Sequence, residues 1–158
     1  MIDATDILSA RILVVDDDPD AASTLAQVLT LHGYGSVATT TDPGAVHGLH
    51  RANDYDLILL DLQMPNMDGF AVMEALREFE RDGYLPVLAI TGEAGHRKPA
   101  LKLGARDFLR KPVDPEELLL RVRNLVEVRL LYKERAPVAD APAPIVASDN
   151  VVAFAGRR

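Results

Sequence analysis

Cysteine is missing from the 158-residue sequence. That excludes disulfides, thiolate metal sites and a cysteine nucleophile, and it fits a cytoplasmic protein. No apolar run approaches the roughly 20 residues of a membrane span, and Met1–Arg11 carries Asp3 and Asp6 where a secretory leader would be basic. The expectation is a cytoplasmic chain without membrane attachment. Cations are scarce in the first half: residues 1–70 hold eleven Asp against Arg11 and Arg51 alone, a net charge of −9. Residues 71–158 hold fifteen Lys and Arg against thirteen acids, and the whole chain carries −7. Nucleic acid is not expected as a partner, because binding it depends on a basic face. An acidic first half suggests carboxylates gathered around a cation.

The length allows one domain and a tail, and the 48% hydrophobic and 26% charged content supports a real core. Short aliphatic or β-branched runs alternate with helical patterns. Arg11–Val15, Ser36–Thr39, Leu57–Leu60, Val87–Ile90 and Asp107–Leu109 read as strands. Several are almost wholly apolar, as strands covered on both faces should be. Asp18-Pro19, Asp42-Pro43, Asp68 and Asp114-Pro115 open helices, and Gly33, Gly83 and Gly104 stop them. A short helix lies around Lys98–Leu103. The pattern predicts an α/β fold, a doubly wound five-stranded parallel sheet with five helices, whose sites lie at the carboxyl ends of the strands. Residues 1–9 form an N-terminal extension, 10–135 the domain, and 136–158 an Ala/Pro-rich flexible tail. Within that tail Asn150–Arg158 reads either as a free end or as a segment that adds a strand or fills a groove.

The residues following the strands are Asp16, Asp17 and Asp18, then Asp61, Thr91 and Lys111. Carboxylates crowded in one crevice either take up protons or recruit a cation. All-oxygen ligands favour Mg²⁺ or a similar hard ion. A carboxylate can also attack phosphorus, giving an acyl phosphate, with Lys111 and the Thr91 hydroxyl at hand for the phosphoryl oxygens. Asp61, on the central third strand, is the natural nucleophile.

The motifs Val14-Val-Asp-Asp17, Asp61-Leu-Gln-Met-Pro-Asn-Met-Asp-Gly69, Ile90-Thr91, Gly104-Ala105 and Phe108 ahead of Lys111-Pro112 occur in order on these strand ends. In this the sequence resembles the receiver domain of two-component response regulators, which have a flavodoxin-like fold. The resemblance implies that Asp61 is the phosphoacceptor for a histidine kinase or histidine phosphotransfer protein. It implies Mg²⁺ held by Asp16, Asp17, Asp61 and the backbone carbonyl of Gln63, with Asp16 acting through water. Thr91 and Lys111 would contact the phosphoryl group, Thr91 and Phe108 would act as the switch, and Gln63 and Glu93 would tune the phosphoryl lifetime. Phe108 lacks the hydroxyl of a tyrosine, so its switching rests on packing. Gly92 stands where Ala is commonest in the family, and Gly95 and Pro99 make the following segment irregular.

Plainer readings accompany these. Asp68-Gly69 reads as a turn and helix start, and Met64-Pro65 shapes the loop beside Asp61. His47 and His50 share a helix face with no carboxylate or third ligand beside them, and His96-Arg97-Lys98 is a small basic patch near the rim that holds Asp61, solvated or open to a partner. Gly33–Ala38 imitates a dinucleotide fingerprint but precedes a strand instead of following one, which leaves a phosphate no helix N-terminus. The last helix, from Pro115 to about Glu134, outruns the sheet; its excess either packs back on the domain or serves a homodimer. The resulting expectation is a single-domain phosphoacceptor switch that turns over no separate substrate. Its rivals are a receiver fragment of a longer regulator, a phosphorylation-independent scaffold, and a Mg²⁺-dependent aspartyl phosphatase. The phosphatase is disfavoured by Gln63 standing where such enzymes carry a second acid.

Overall fold

The computed structural model describes residues 1–64, 68–135 and 151–155, with backbone alone at 80–82 and 151–155. Pro65, Asn66 and Met67 of the Asp61–Gly69 motif, and residues 136–150 and 156–158, lie outside the described residues.

Strand and helix alternate along the chain: α1 (Ala4–Leu8), β1 (Arg11–Val15), α2 (Pro19–Leu31), β2 (Ser36–Thr40), α3 (Val46–Asn53), β3 (Leu57–Asp61), α4 (Gly69–Gly83), β4 (Val87–Thr91), α5 (Arg97–Lys102), β5 (Asp107–Arg110), α6 (Pro115–Arg135) and β6 (Val151–Ala155). Short 3-10 turns, Pro43–Ala45 and Ala94–His96, lead into α3 and α5. The sheet order is β5-β4-β3-β1-β2-β6, with the first five strands parallel and β6 antiparallel to β2. The five expected strands therefore form one parallel sheet.

Alternation along each strand divides the core in two. Ile12 and Val14 face the layer of α2 and α6, where they meet Ala26, Leu29, Val122 and Val126. Leu13 and Val15 face the opposite layer, with Val46, Leu49, Val72 and Leu76 of α3 and α4. All five residues of β3 and all five of β4 are buried, which is why these runs carry almost no polar side chain.

The helix starts follow the sequence signals. Asp18 accepts the Asp20 N–H, Asp42 that of Gly44, and Asp68 that of Phe70, at 2.9–3.0 Å. Gly33 ends α2 at φ +100 and Gly104 follows α5 at φ +109, conformations that favour glycine. One element lies in the expected N-terminal extension: α1 is fastened by a reciprocal capping box between Asp3 and Asp6 and buries Ile7.

The last helix runs 21 residues and buries Leu118, Val122, Leu125, Val126 and Arg129. Arg129 is 4% exposed. Its guanidinium donates to the carbonyls of Gly83, Tyr84 and Tyr55 and to Asp54 Oδ1 (3.1 Å), and its Nε lies 3.5 Å from Asp56 Oδ1. Lys133, one turn on, reaches Asp54 and Asp56 at 3.0 and 2.9 Å. Asp54 and Tyr84 both have φ +50, so Arg129 binds the two turns where non-glycine backbone is strained. The far half of α6 thus packs back on the domain, while Leu120, Val128 and Leu131 remain exposed. Among the described residues no helix is long and apolar enough to cross a membrane.

Strand β6 comes from the segment read as a flexible tail. Its backbone pairs with β2 over five positions, from Ser36↔Ala155 to Thr40↔Val151. Residues 151–155 of that segment therefore form a strand on the β2 edge.

Candidate functional site

The strand order reverses between β1 and β3, and a doubly wound sheet opens its crevice at that switch point. Asp16 and Asp17 leave the end of β1, and Asp61 is the last residue of β3. One carboxylate oxygen from each lies within 4.8 Å of the others. Asp16 and Asp61 are buried, and Asp17 is partly exposed at the mouth.

Both oxygens of Asp61 are engaged. Oδ1 accepts the Gln63 N–H at 2.9 Å, and Oδ2 accepts from Lys111 Nζ at 3.2 Å. Lys111 follows β5, and its N–H donates to the Thr91 carbonyl at 2.9 Å, which ties it to the end of β4. Asp16 accepts the Asp18 N–H at 3.0 Å. Burial pushes its carboxyl up to about 6; the Asp18 hydrogen bond and Lys111 oppose this, while the neighbouring charges of Asp61 and Asp17 add to it. Three oxygen donors that repel one another and share a single lysine can hold a hard cation.

Thr91 is fully buried at the end of β4. Phe108, on β5, is half-buried against the core layer of α3 to α5. Gln63 and Glu93 are exposed and meet across the rim, Gln63 Nε2 donating to Glu93 Oε1 at 3.2 Å. Gln63 Oε1 also accepts the Gly92 N–H at 2.6 Å. A Cβ at position 92 would stand 3.0 Å from that oxygen, so glycine here admits the Gln63 side chain. The structure brings Asp16, Asp17, Asp61, Gln63, Thr91, Glu93 and Lys111 to the carboxyl ends of the strands, while Phe108 lies further back on β5, paired with Ala89.

Gly69 opens α4 hard against the end of β3. A Cβ there would lie 2.8 Å from Leu62 Cα and 2.9 Å from the Asp61 carbonyl oxygen. Gly69→Ala is therefore expected to destabilise the fold by about 1–3 kcal/mol and to slow any reaction at Asp61. Thermal melts beside a phosphorylation time course check this; a variant unchanged in both would show that the loop gives way freely.

Two histidines sit differently from their sequence reading. His47 does have a carboxylate partner, Glu78 of α4 at 2.6 Å. His96 belongs less to a basic surface patch than to the site, since its ring lies against Thr91. Nothing in the spacing of His96-Arg97-Lys98 signals this; the ring reaches Thr91 only because a 3-10 turn folds residues 94–96 back over the end of β4.

The chain has extensive similarity to known proteins. A family model described as the response regulator receiver domain matches residues 12–123. Response regulator PleD of Caulobacter vibrioides is 40% identical over 129 residues, covering 80% of this chain and 28% of PleD. Chemotaxis protein CheY of Treponema pallidum is 31% identical over 121 residues, covering 74% of this chain and 83% of CheY. The crystal structure of chemotaxis response regulator CheY4 of Vibrio cholerae superposes with a TM-score of 0.67 at 28% identity, over 74% of this chain and 98% of that one. The chain spans only 28% to 53% of the length of several larger regulators it matches. Fold, strand-end residues and matched span agree, and the chain belongs to the receiver-domain family of two-component response regulators.

Proposed function

We propose that Asp61 accepts a phosphoryl group from a phosphohistidine of a histidine kinase or phosphotransfer protein, in the cytoplasm, and that the modified domain presents an altered protein-binding surface. The observation that carries this reading is the convergence of Asp16, Asp17, Asp61, Thr91 and Lys111 on one rim. In the transfer a carboxylate oxygen of Asp61 bonds to phosphorus as the phosphorus–nitrogen bond breaks. The imidazole leaves with the electron pair and remains on the donor protein.

Asp16, Asp17, Asp61 and the Gln63 main-chain carbonyl are the groups that would hold Mg²⁺, which when bound neutralises phosphoryl oxygens. Lys111 Nζ, now on Asp61 Oδ2, is placed to follow the new negative charge onto a phosphoryl oxygen. The Thr91 hydroxyl is the donor for another. Drawing Thr91 toward the phosphate leaves room for Phe108 to turn inward, and the surface of α5, β5 and α6 changes with it. Gln63 and Glu93 stand where water must approach to hydrolyse the acyl phosphate, so the chain loses its own phosphoryl group slowly and turns over no other substrate. The exposed Leu120, Val128 and Leu131 make α6 the helix through which a homodimer would form. The partial coverage of the longer regulators supports a second reading, in which the same receiver serves as the input module of a larger protein.

The test is incubation with acetyl phosphate and Mg²⁺, read by intact mass and size-exclusion elution. The wild type is expected to gain one phosphoryl group only with Mg²⁺, and Asp61→Asn none. A wild type that gains none and binds no beryllofluoride would leave a receiver-shaped scaffold instead.

A further inference from the structure

Before any phosphoryl group arrives, the Thr91 hydroxyl already has a partner. Its Oγ1 lies 3.0 Å from His96 Nδ1, and the Glu93 N–H donates to the same oxygen at 3.2 Å. The other ring nitrogen, Nε2, lies 3.0 Å from Glu93 Oε2. An ionised carboxylate only accepts, so in the neutral ring Nε2 carries the hydrogen and Nδ1 is the acceptor. The one hydrogen of the Thr91 hydroxyl is therefore given to His96. Phe70 of α4 packs edge-on against the ring, with centroids 5.3 Å apart and planes at 89°, and fixes its orientation from a third side.

A phosphoryl oxygen on Asp61 has no hydrogen to offer and needs Thr91 as its donor. The imidazole and the phosphoryl group thus compete for the same hydrogen. We propose that His96 is a positioning residue that holds the Thr91 hydroxyl in the unphosphorylated state and sets how readily the switch is thrown. This rests on the receiver reading above and deepens it. Glu93 serves as the orienting carboxylate of the ring, while its other oxygen is held by Gln63. The two rim residues that face incoming water are thereby joined to the switch through one histidine.

The test titrates beryllofluoride, with saturating Mg²⁺, into the full chain of the wild type, His96→Ala, Thr91→Val and the double variant. His96→Phe is run beside them because it keeps a ring against Phe70 while removing both nitrogens. Removing a competing neutral hydrogen bond is expected to tighten beryllofluoride binding about fivefold in both His96 variants. In the Thr91→Val background His96→Ala is expected to have no effect, since no hydroxyl remains to be held. A second readout is the ¹⁵N spectrum of the wild-type ring, whose Nδ1 resonance should shift on adding beryllofluoride while Nε2 stays with Glu93. Unchanged affinity in the His96 variants, an equal change in both Thr91 backgrounds, or an unmoved Nδ1 resonance would overturn the proposal and leave the receiver reading standing. A wild type that binds no beryllofluoride would overturn both.

Discussion

Arg129→Ala is expected to lower the unfolding free energy by about 3–5 kcal/mol, the usual cost of stripping one partner from a buried charge network. The arginine is 4% exposed and lies between two acids and three main-chain carbonyls. Its loss leaves Asp56, also buried, with Lys133 as its remaining cation, and leaves the carbonyls of Gly83 and Tyr55 without their donor. Two turns held at positive φ lose their common clamp in the same step. Arg129→Lys is expected to recover less than half, because an ammonium cannot match a planar fork that serves both turns at once. Urea denaturation measures the difference. A loss below about 1 kcal/mol would mean that water enters and replaces the guanidinium, as at an ordinary surface pair.

Asp16→Asn is expected to act in the opposite direction on stability while removing cation affinity. The native carboxyl titrates at about 6 against 3.8 in the unfolded chain. Between those values the folded form holds a proton that the unfolded form has lost, so stability falls as pH rises through the window. At pH 7, free of metal, the amide removes that cost and is expected to stabilise by about 2–3 kcal/mol. Near pH 4 the wild type is itself protonated, and the two proteins should converge. His50 works against Asp16: burial holds its ring down to about 4, and Nδ1 accepts the Tyr55 N–H at 3.1 Å. The unfolded histidine gains a proton below about 6.5, so this group adds stability as pH rises from 4 to 6.5. The metal-free wild type should therefore be nearly flat across this range, and Asp16→Asn should uncover the rising slope of His50. Mg²⁺ affinity in the variant should fall at least tenfold. Urea curves in EDTA at pH 4.5 and 7, with a Mg²⁺ titration, decide the matter; a variant less stable at pH 7 would show that the three carboxylates are relaxed without a cation.

Much of this site was legible in the sequence because a parallel sheet converts strand ends into neighbours. The aliphatic runs located β1 to β5, and what followed each run located the rim. Four of the five strands continue one residue beyond their apolar run, to Thr40, Asp61, Thr91 and Arg110. Ladder hydrogen bonds belong to the main chain and take no account of a polar side chain. The five-residue α1 is too short to show helical periodicity, and its only signal was the Asp3 and Asp6 pair, which reads equally well as plain acidity. Arg129 looks like any charged residue on a long helix, since its partners arrive from residues 54–56 and 83–84. His96 was hidden for the same reason: a contact made by a turn has no period in the sequence. Strand β6 could be weighed but not placed, because five small and apolar residues acquire a register only from the edge they meet.

That edge strand gives β2 a competitor of its own. Fifteen residues separate Arg135 from Val151, and a strand tethered through so short a stretch of the same chain faces its edge at an effective concentration of millimolar order. A free strand from another molecule must exceed that local concentration, or bind far better, before it displaces β6. The hydrogen-bonding edge of β2 is thus kept covered by a pairing that need be no stronger than millimolar, far weaker than a free strand would require.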